Sequence, residues 1–254
     1  MSLPRADSAD ICLLLEGTFP YVSGGVSSWV NQIIRGFPEY TFACCFVGSR
    51  PEDYGEMKYT LPDNVVHLEV HYLHDFERGA QKKPQKGDVE AYHRLRRFHE
   101  LMRSGQHSPE REELLGKTLD GLGEGCCYSE ESFLHSRASW DFISDAYRQY
   151  SRDPSFVDYF WTVRIMHAPL WVLHDIASNL IPARMYHTIS TGYAGFLGAM
   201  LKRRTGKPLL LSEHGIYTKE RKIDLFQSEW ISDNRGLVEK NNAEMAYFRE
   251  KWVN

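Results

Sequence analysis

Two short stretches carry residue types that could do chemistry. In the first, Glu16 closes an apolar run, and Gly24 and Gly25 stand just ahead of an apolar stripe at helical spacing. A helix N-terminus leaves backbone N–H groups unpaired and carries roughly half a positive charge, and glycines there let an anion approach the backbone. The pair suits a phosphate, or it serves only the tight turn from strand to helix; the pattern is neither GxGxxG nor a P-loop. In the second stretch, Ser212 to Gly215 reads SEHG directly after an apolar run. His214 there could donate to a sugar hydroxyl or orient a phosphate, or it could be structural. Lys219 and Arg221 follow within the basic cluster Thr218–Lys222, which could neutralise a diphosphate or form a solvated face.

The elements that must position these residues are readable from periodicity. Asp10–Glu16 reads as a buried strand. Val26, Trp29, Val30, Ile33, Ile34 and Phe37 fall on one helical face, and Pro38 closes it. Thr41–Gly48 is a second apolar strand and Asn64–Leu73 a third. Buried strands joined through a helix imply a parallel sheet. Gln81–Asp88 is a polar, breaker-rich link. From about residue 88 to 181 the pattern is helical: Asp88 caps a helix marked by Val89, Tyr92, Leu95, Phe98 and Met102. The glycine-rich Leu114–Gly125 reads as loop or broken helix. Trp140, Ile143, Tyr147 and Tyr150 mark another helix, Ser155 caps Phe156–His167, and Pro169 suits the first turn of a further one. The strand–helix alternation resumes with Met185–Ser190, a small-residue helix stopped by Gly206, and the strand Lys207–Gly215. Val238–Val253, with Met245, Phe248 and Trp252, reads as a last helix. The expected fold is α/β: a Rossmann-like parallel sheet with a large helical insertion at about 88–181. Ligands of open α/β sheets bind at the carboxyl ends of the strands, where Glu16 and His214 both fall.

Composition excludes several classes. The 254 residues carry a net charge of -4, which gives no bulk basic surface for nucleic acid. The uncharged stretch Met185–Leu201 is broken by His187 and by hydroxyl and glycine residues, so no membrane span is expected. Asp7 and Asp10 precede the first apolar run, which is wrong for a signal peptide. Cys12, Cys44, Cys45, Cys126 and Cys127 make an odd count with no CxxC, so a reduced, cytoplasmic compartment fits best. His67 and His71 share one strand face and His74 the other; they read as solvated positions, not as a metal site.

The stretches EGTFPYVSGGVSSWVNQII, PDNVVHLEVHYL and STGYAGFLGAMLKRRTGKPLLLSEHGIYTKERKIDL resemble the N-terminal half of the PelF family. Its members are cytoplasmic retaining glycosyltransferases, family 4-like and GT-B in fold, that act in Pel-type exopolysaccharide synthesis for the biofilm matrix. The resemblance runs from about Asp10 to the C-terminus. It implies one N-terminal GT-B domain over residues 1–254, with the C-terminal donor-binding domain lying outside this chain. It implies transfer of a hexose or N-acetylhexosamine from a UDP-sugar to a growing glycan, with no metal or other cofactor. His214 would face the donor sugar as the catalytic residue. Glu16, Gly24 and Gly25 would approach the donor diphosphate, and Lys219 and Arg221 would meet its charge. The implied partners are the donor, the acceptor glycan, the C-terminal GT-B domain and inner-membrane Pel assembly proteins that could recruit the enzyme to the membrane. Glu-x7-Glu, which related enzymes carry in the second domain, occurs here only as Glu69 with Glu77, across a strand. The alternative of another class is a non-catalytic scaffolding or regulatory domain of an exopolysaccharide assembly complex.

Overall fold

The apolar runs of the first half and of the return after residue 182 assemble into one parallel sheet. The computed structural model describes residues 3–74, 83–105, 107–151 and 155–215. The strands are β1 (Ala9–Glu16), β2 (Phe42–Gly48), β3 (Val65–Tyr72), β4 (Ala183–Thr188) and β5 (Leu209–Leu211), in the order β3-β2-β1-β4-β5. Every neighbouring pair is parallel, with Ile11 opposite both Phe42 and Met185. Every residue of β2 is buried, which is why FACCFVG shows no alternation: a central parallel strand is covered on both faces. At the β3 edge, the N–H of Leu68 donates to the carbonyl of Pro4, so the N-terminal segment satisfies part of that edge.

Helix α1 (Gly25–Gly36) covers one face. Val30 and Ile34 are buried against Leu13, Leu15, Phe42, Cys44 and Leu68, and each such side chain contributes about 1.5–3 kcal/mol on burial. Trp29 and Phe37, read on the same stripe, lie on its flanks and stay 38% and 48% exposed. Helix α7 (Tyr193–Thr205) lies so close to the sheet that a Cβ on Gly198 would come within 2.8 Å of Leu209 and 3.3 Å of Leu14. It ends at Gly206, whose φ of 68° is the left-handed cap the sequence pointed to.

Clustering divides the described residues into two compact units, residues 3–74 with 172–215, and residues 83–171. The second unit is helical: α2 (Val89–Arg103), α3 (Pro109–Asp120), α4 (Glu130–His135), α5 (Arg137–Tyr150) and the first part of α6 (Phe156–Asn179). Its helices start at side-chain caps. Asp88 accepts from Ala91, Ser108 from Arg111, Ser129 from Ser132, Ser136 from Ser139 and Ser155 from Asp158. Its core holds Tyr92, Leu95, Tyr128, Phe133, Phe142 and Ile143.

Three expectations are corrected. Leu114–Gly125, read as loop or broken helix, is helix as far as Asp120 and breaks only at Gly121. That glycine is needed because a Cβ there would lie 2.4 Å from the ring of Tyr128. Pro169 does not begin a helix but sits inside α6. A proline there removes one backbone bond and crowds the preceding turn at a cost of about 3 kcal/mol; burial of Ala168, Leu173, Ile176 and Ala177 around it offsets that cost. The strand read over Lys207–Gly215 is only three residues long; among the described residues β5 pairs with β4 alone, and Leu210 and Leu211 remain exposed. The helix read at Val238–Val253 lies outside the described residues. Among the described residues, no helix is long and apolar enough to cross a membrane.

Candidate functional site

The sheet order places β1 beside β4 although more than a hundred residues separate them in sequence. Strand order reverses between them, and α1 and α7 leave from the two adjacent strands. In open α/β sheets the crevice beyond the carboxyl ends of such a strand pair is the usual ligand position. The groups brought there are Glu16 from β1, the start of α1, Ser190 and Thr191 after β4, and Ser212, Glu213 and His214 after β5.

The turn out of β1 is made by Gly17, not by the Gly24–Gly25 pair. Gly17 has φ of 58°, and its N–H donates to the carbonyl of Val47 at 3.0 Å. An L side chain is strained at that φ. Gly24, the residue preceding α1, has φ 168° and ψ 178°, an extended backbone open to any residue. Cβ atoms built on Gly24 or Gly25 meet nothing within 4 Å. Neither protein packing nor backbone conformation therefore requires this pair. What the two glycines provide is open space over a helix N-terminus that no side chain caps among the described residues.

The N-terminus of α7 is already occupied. Its first residue follows Gly192, which cannot cap, and the carboxylate of Glu16 reaches across from β1 instead. Glu16 Oε2 accepts from the backbone N–H of Ala194 at 3.0 Å and from Ser190 Oγ at 3.0 Å. Gly195 lets this loop close on the helix, since a Cβ there would lie 2.8 Å from the carbonyl oxygen of Ser190. Of the two helix starts at the crevice, α7 holds a carboxylate and, among the described residues, α1 holds none. An added anion is accordingly favoured at α1 and repelled at α7.

Beyond β5, Ser212 ties the strand end to β4. Its N–H donates to the carbonyl of Thr188 at 2.9 Å, and its Oγ lies 3.0 Å from His187 Nε2. Burial holds the His187 imidazole below its ordinary pKa, and its ring meets Trp29 edge-on at 6.2 Å. Thr191 Oγ1 donates to Glu213 Oε1 at 3.3 Å. His214 is exposed, three residues past the last residue of β5. Lys219 and Arg221 lie outside the described residues. The described part of the crevice thus offers carboxylates, hydroxyls and an imidazole, together with the backbone donors of α1. Such a set suits a polyhydroxylated ligand with an anionic group held at the helix start.

Sequence reading placed Glu16, Gly24, Gly25 and His214 at this edge and missed Ser190, Thr191 and Glu213. The missed group has no local signal, since α1 also starts behind a glycine and, among the described residues, takes no such cap. His67 was read as solvated and is buried instead. The backbone N–H of Ala6 donates to His67 Nδ1, so Nε2 carries the hydrogen that meets Glu69 Oε1 at 2.9 Å. Glu69 Oε2 lies 2.9 Å from His71 Nε2. The bonds to both rings hold its carboxyl below the usual carboxylate range.

A family model described as a domain of unknown function, DUF3492, matches residues 9–254. No curated protein and no solved structure matches the chain. The match covers nearly the whole chain, and the chain belongs to the DUF3492 family.

Proposed function

We propose that this member of the DUF3492 family is the acceptor-side domain of a PelF-like retaining glycosyltransferase. In this reading the donor is a UDP-hexose or UDP-N-acetylhexosamine and the product a growing exopolysaccharide. The observation that carries the reading is the crevice between β1 and β4. It combines a glycine-opened, side-chain-free helix start with carboxylate and hydroxyl groups from three strand ends. The first suits the diphosphate of a nucleotide-sugar and the second suits sugar hydroxyls. In the transfer, the bond from the anomeric carbon to the diphosphate breaks, a bond to an acceptor oxygen forms, and the acceptor proton departs with the UDP side. His214 faces the donor sugar, and Lys219 and Arg221 meet the leaving charge. Glu16 acts on the site through α7, by holding the loop at Ser190.

The test is a donor screen of the full-length gene product, read as UDP release in the presence of acceptor glycan. His214→Ala should lower turnover by ~10²-fold, the scale of one lost transition-state contact. Gly25→Val, which fills the space above the helix start, should impair donor use far more than stability. Unchanged turnover in both folded variants would remove this crevice from the reaction.

A second reading, a scaffolding domain of an exopolysaccharide assembly complex, is favoured by one observation. Helix α6 exposes Val157, Trp161 and Ile165, at 61%, 54% and 39%, one turn apart. Such a stripe fits a protein contact. A protein that turns over no nucleotide-sugar but loses complex formation on Trp161→Glu would favour it.

A further inference from the structure

The helical unit contains a cavity that the proposed glycosyl transfer does not use. It has a volume of about 330 Å³ and is lined by Phe133, Arg137, Trp140, Phe160 and Arg164, with Gln85, His135 and two serines at its sides. That volume is at the small end of ligand pockets, which run from about 300 to 1,000 Å³.

Its charge is one-sided. Two arginines and a histidine line it, and among the described residues no carboxylate does. Arg137 is bound through Nε to Asp141, at 2.9 and 3.0 Å. Arg164 is different. Of its five N–H donors, one on Nη2 meets a protein acceptor, the carbonyl of Leu134. Among the described residues its Nε is buried without a partner and no carboxylate pairs with it. Buried or half-buried arginines are ordinarily paired with an acid. Beside the Leu134 carbonyl, ring faces attend the cation: Phe160 at 4.5 Å and Trp161 at 5.6 Å from the guanidinium carbon. Burial pulls the guanidinium pKa downward, which is the mark of a cation without its anion.

The wall beside the cation is aromatic. Trp140 packs on Phe156 and Phe160 yet keeps 44% of its surface exposed. Ser136 and Ser139 are engaged by the backbone, Ser136 as the α5 cap and Ser139 through the carbonyl of Phe133. They leave the recognition to the arginine and the rings.

We propose that this cavity is a binding site for a small phosphorylated ring compound of mononucleotide size, its phosphate on Arg164 and its ring on Trp140. An unpaired arginine beside an open aromatic face is the arrangement that reads a phosphate and a planar ring together. The free Nη groups of Arg137 lie on the same wall and add to the attraction. The site is separate from the crevice at the sheet edge and does not depend on the glycosyltransferase reading.

The test is titration calorimetry of the full chain with UMP, GMP and inorganic phosphate as three separate probes. At least one mononucleotide should bind at least ~10-fold more tightly than phosphate, since stacking on an aromatic face adds that order of affinity. Arg164→Gln, which keeps a donor for the Leu134 carbonyl, should weaken the nucleotide ~10-fold or more, the worth of a charge-assisted bond. Trp140→Ala should weaken it ~5-fold or more and leave phosphate unchanged. Lys202→Ala, at an exposed residue of α7 in the other unit, should leave all three unchanged. If Arg164→Gln fails to fold, Trp140→Ala, at an exposed ring, carries the same decision. No saturable binding, equal affinity for nucleotide and phosphate, or binding that ignores both variants but falls with Gly25→Val would each overturn the proposal.

Discussion

Glu16 stands where an acidic residue reads as a ligand group, at the carboxyl end of a central strand, and its Oε2 is nevertheless spent on Ala194 and Ser190. The carboxylate is a helix cap delivered from another strand. Its removal should therefore be felt in stability. Glu16→Ala deletes an acceptor from the first turn of α7 and should cost about 1 kcal/mol, the usual value of a lost cap. Glu16→Gln keeps an acceptor and should cost less. Urea unfolding of the two variants checks this, and equal midpoints for Glu16→Ala and the parent would show that the cap contributes nothing. The position of Glu16 was legible because an apolar run ending at a polar residue marks a strand end. Its partners were not, because they are brought alongside only when β4 docks on β1, and no local spacing encodes that pairing. The Gly24–Gly25 pair shows the converse. Its location was legible, but the choice between turn and open space needed coordinates, since Gly17 could have been either a turn residue or a spare.

At the scale of the helix, legibility followed the strength of the local signal. α1, α2, α5 and α7 carry clean stripes or caps and were readable. α6 was not readable as one helix, because Pro169 is a strong local breaker and the burial that overrides it is a tertiary effect. The pairing of α2 with α5 and α6 has a consequence for pH. His99 on α2 lies between the rings of Phe142 on α5 and His167 on α6, at 5.5 and 6.2 Å. Burial, then the neighbouring His167 and Arg103, push its imidazole down to about 3. Burial also lowers His167. A histidine depressed in the folded state is neutral there while the unfolded chain, with an ordinary value near ~6.5, takes up a proton. Stability is then full above about pH 6.5 and falls as the pH drops toward the folded value. Each such histidine gives a slope of up to ~1.4 kcal/mol per pH unit in that window. The Glu69 carboxyl, also held low, acts in the same direction but at more acid pH. Unfolding free energies at pH 7, 6 and 5 should therefore fall steeply for the parent and less steeply for His99→Gln. Identical slopes would mean that His99 takes up its proton as readily in the folded state as in the unfolded chain.

For the whole molecule the question is how much of a nucleotide-sugar this chain can hold. The glycosyltransferase reading places a diphosphate at the start of α1. There the described protein supplies unpaired backbone N–H groups and hydroxyls, and its carboxylates, Glu16 and Glu213, do not favour an anion. A few hydrogen bonds at roughly 1 kcal/mol net each must offset an association cost of at least ~4 kcal/mol. The 254-residue chain should accordingly bind UDP at the crevice only weakly, with Kd around ~1 mM or above, which corresponds to about −4 kcal/mol, and should transfer no sugar unaided. Ligand-observed NMR with UDP distinguishes this site from the cavity in the helical unit: signal changes that survive Trp140→Ala and vanish with Gly25→Val belong to the crevice. Micromolar UDP binding of that kind would show that this chain alone grips the donor. The donor would then be held at the β1–β4 crevice, against the acceptor-side role that the glycosyltransferase reading gives this chain.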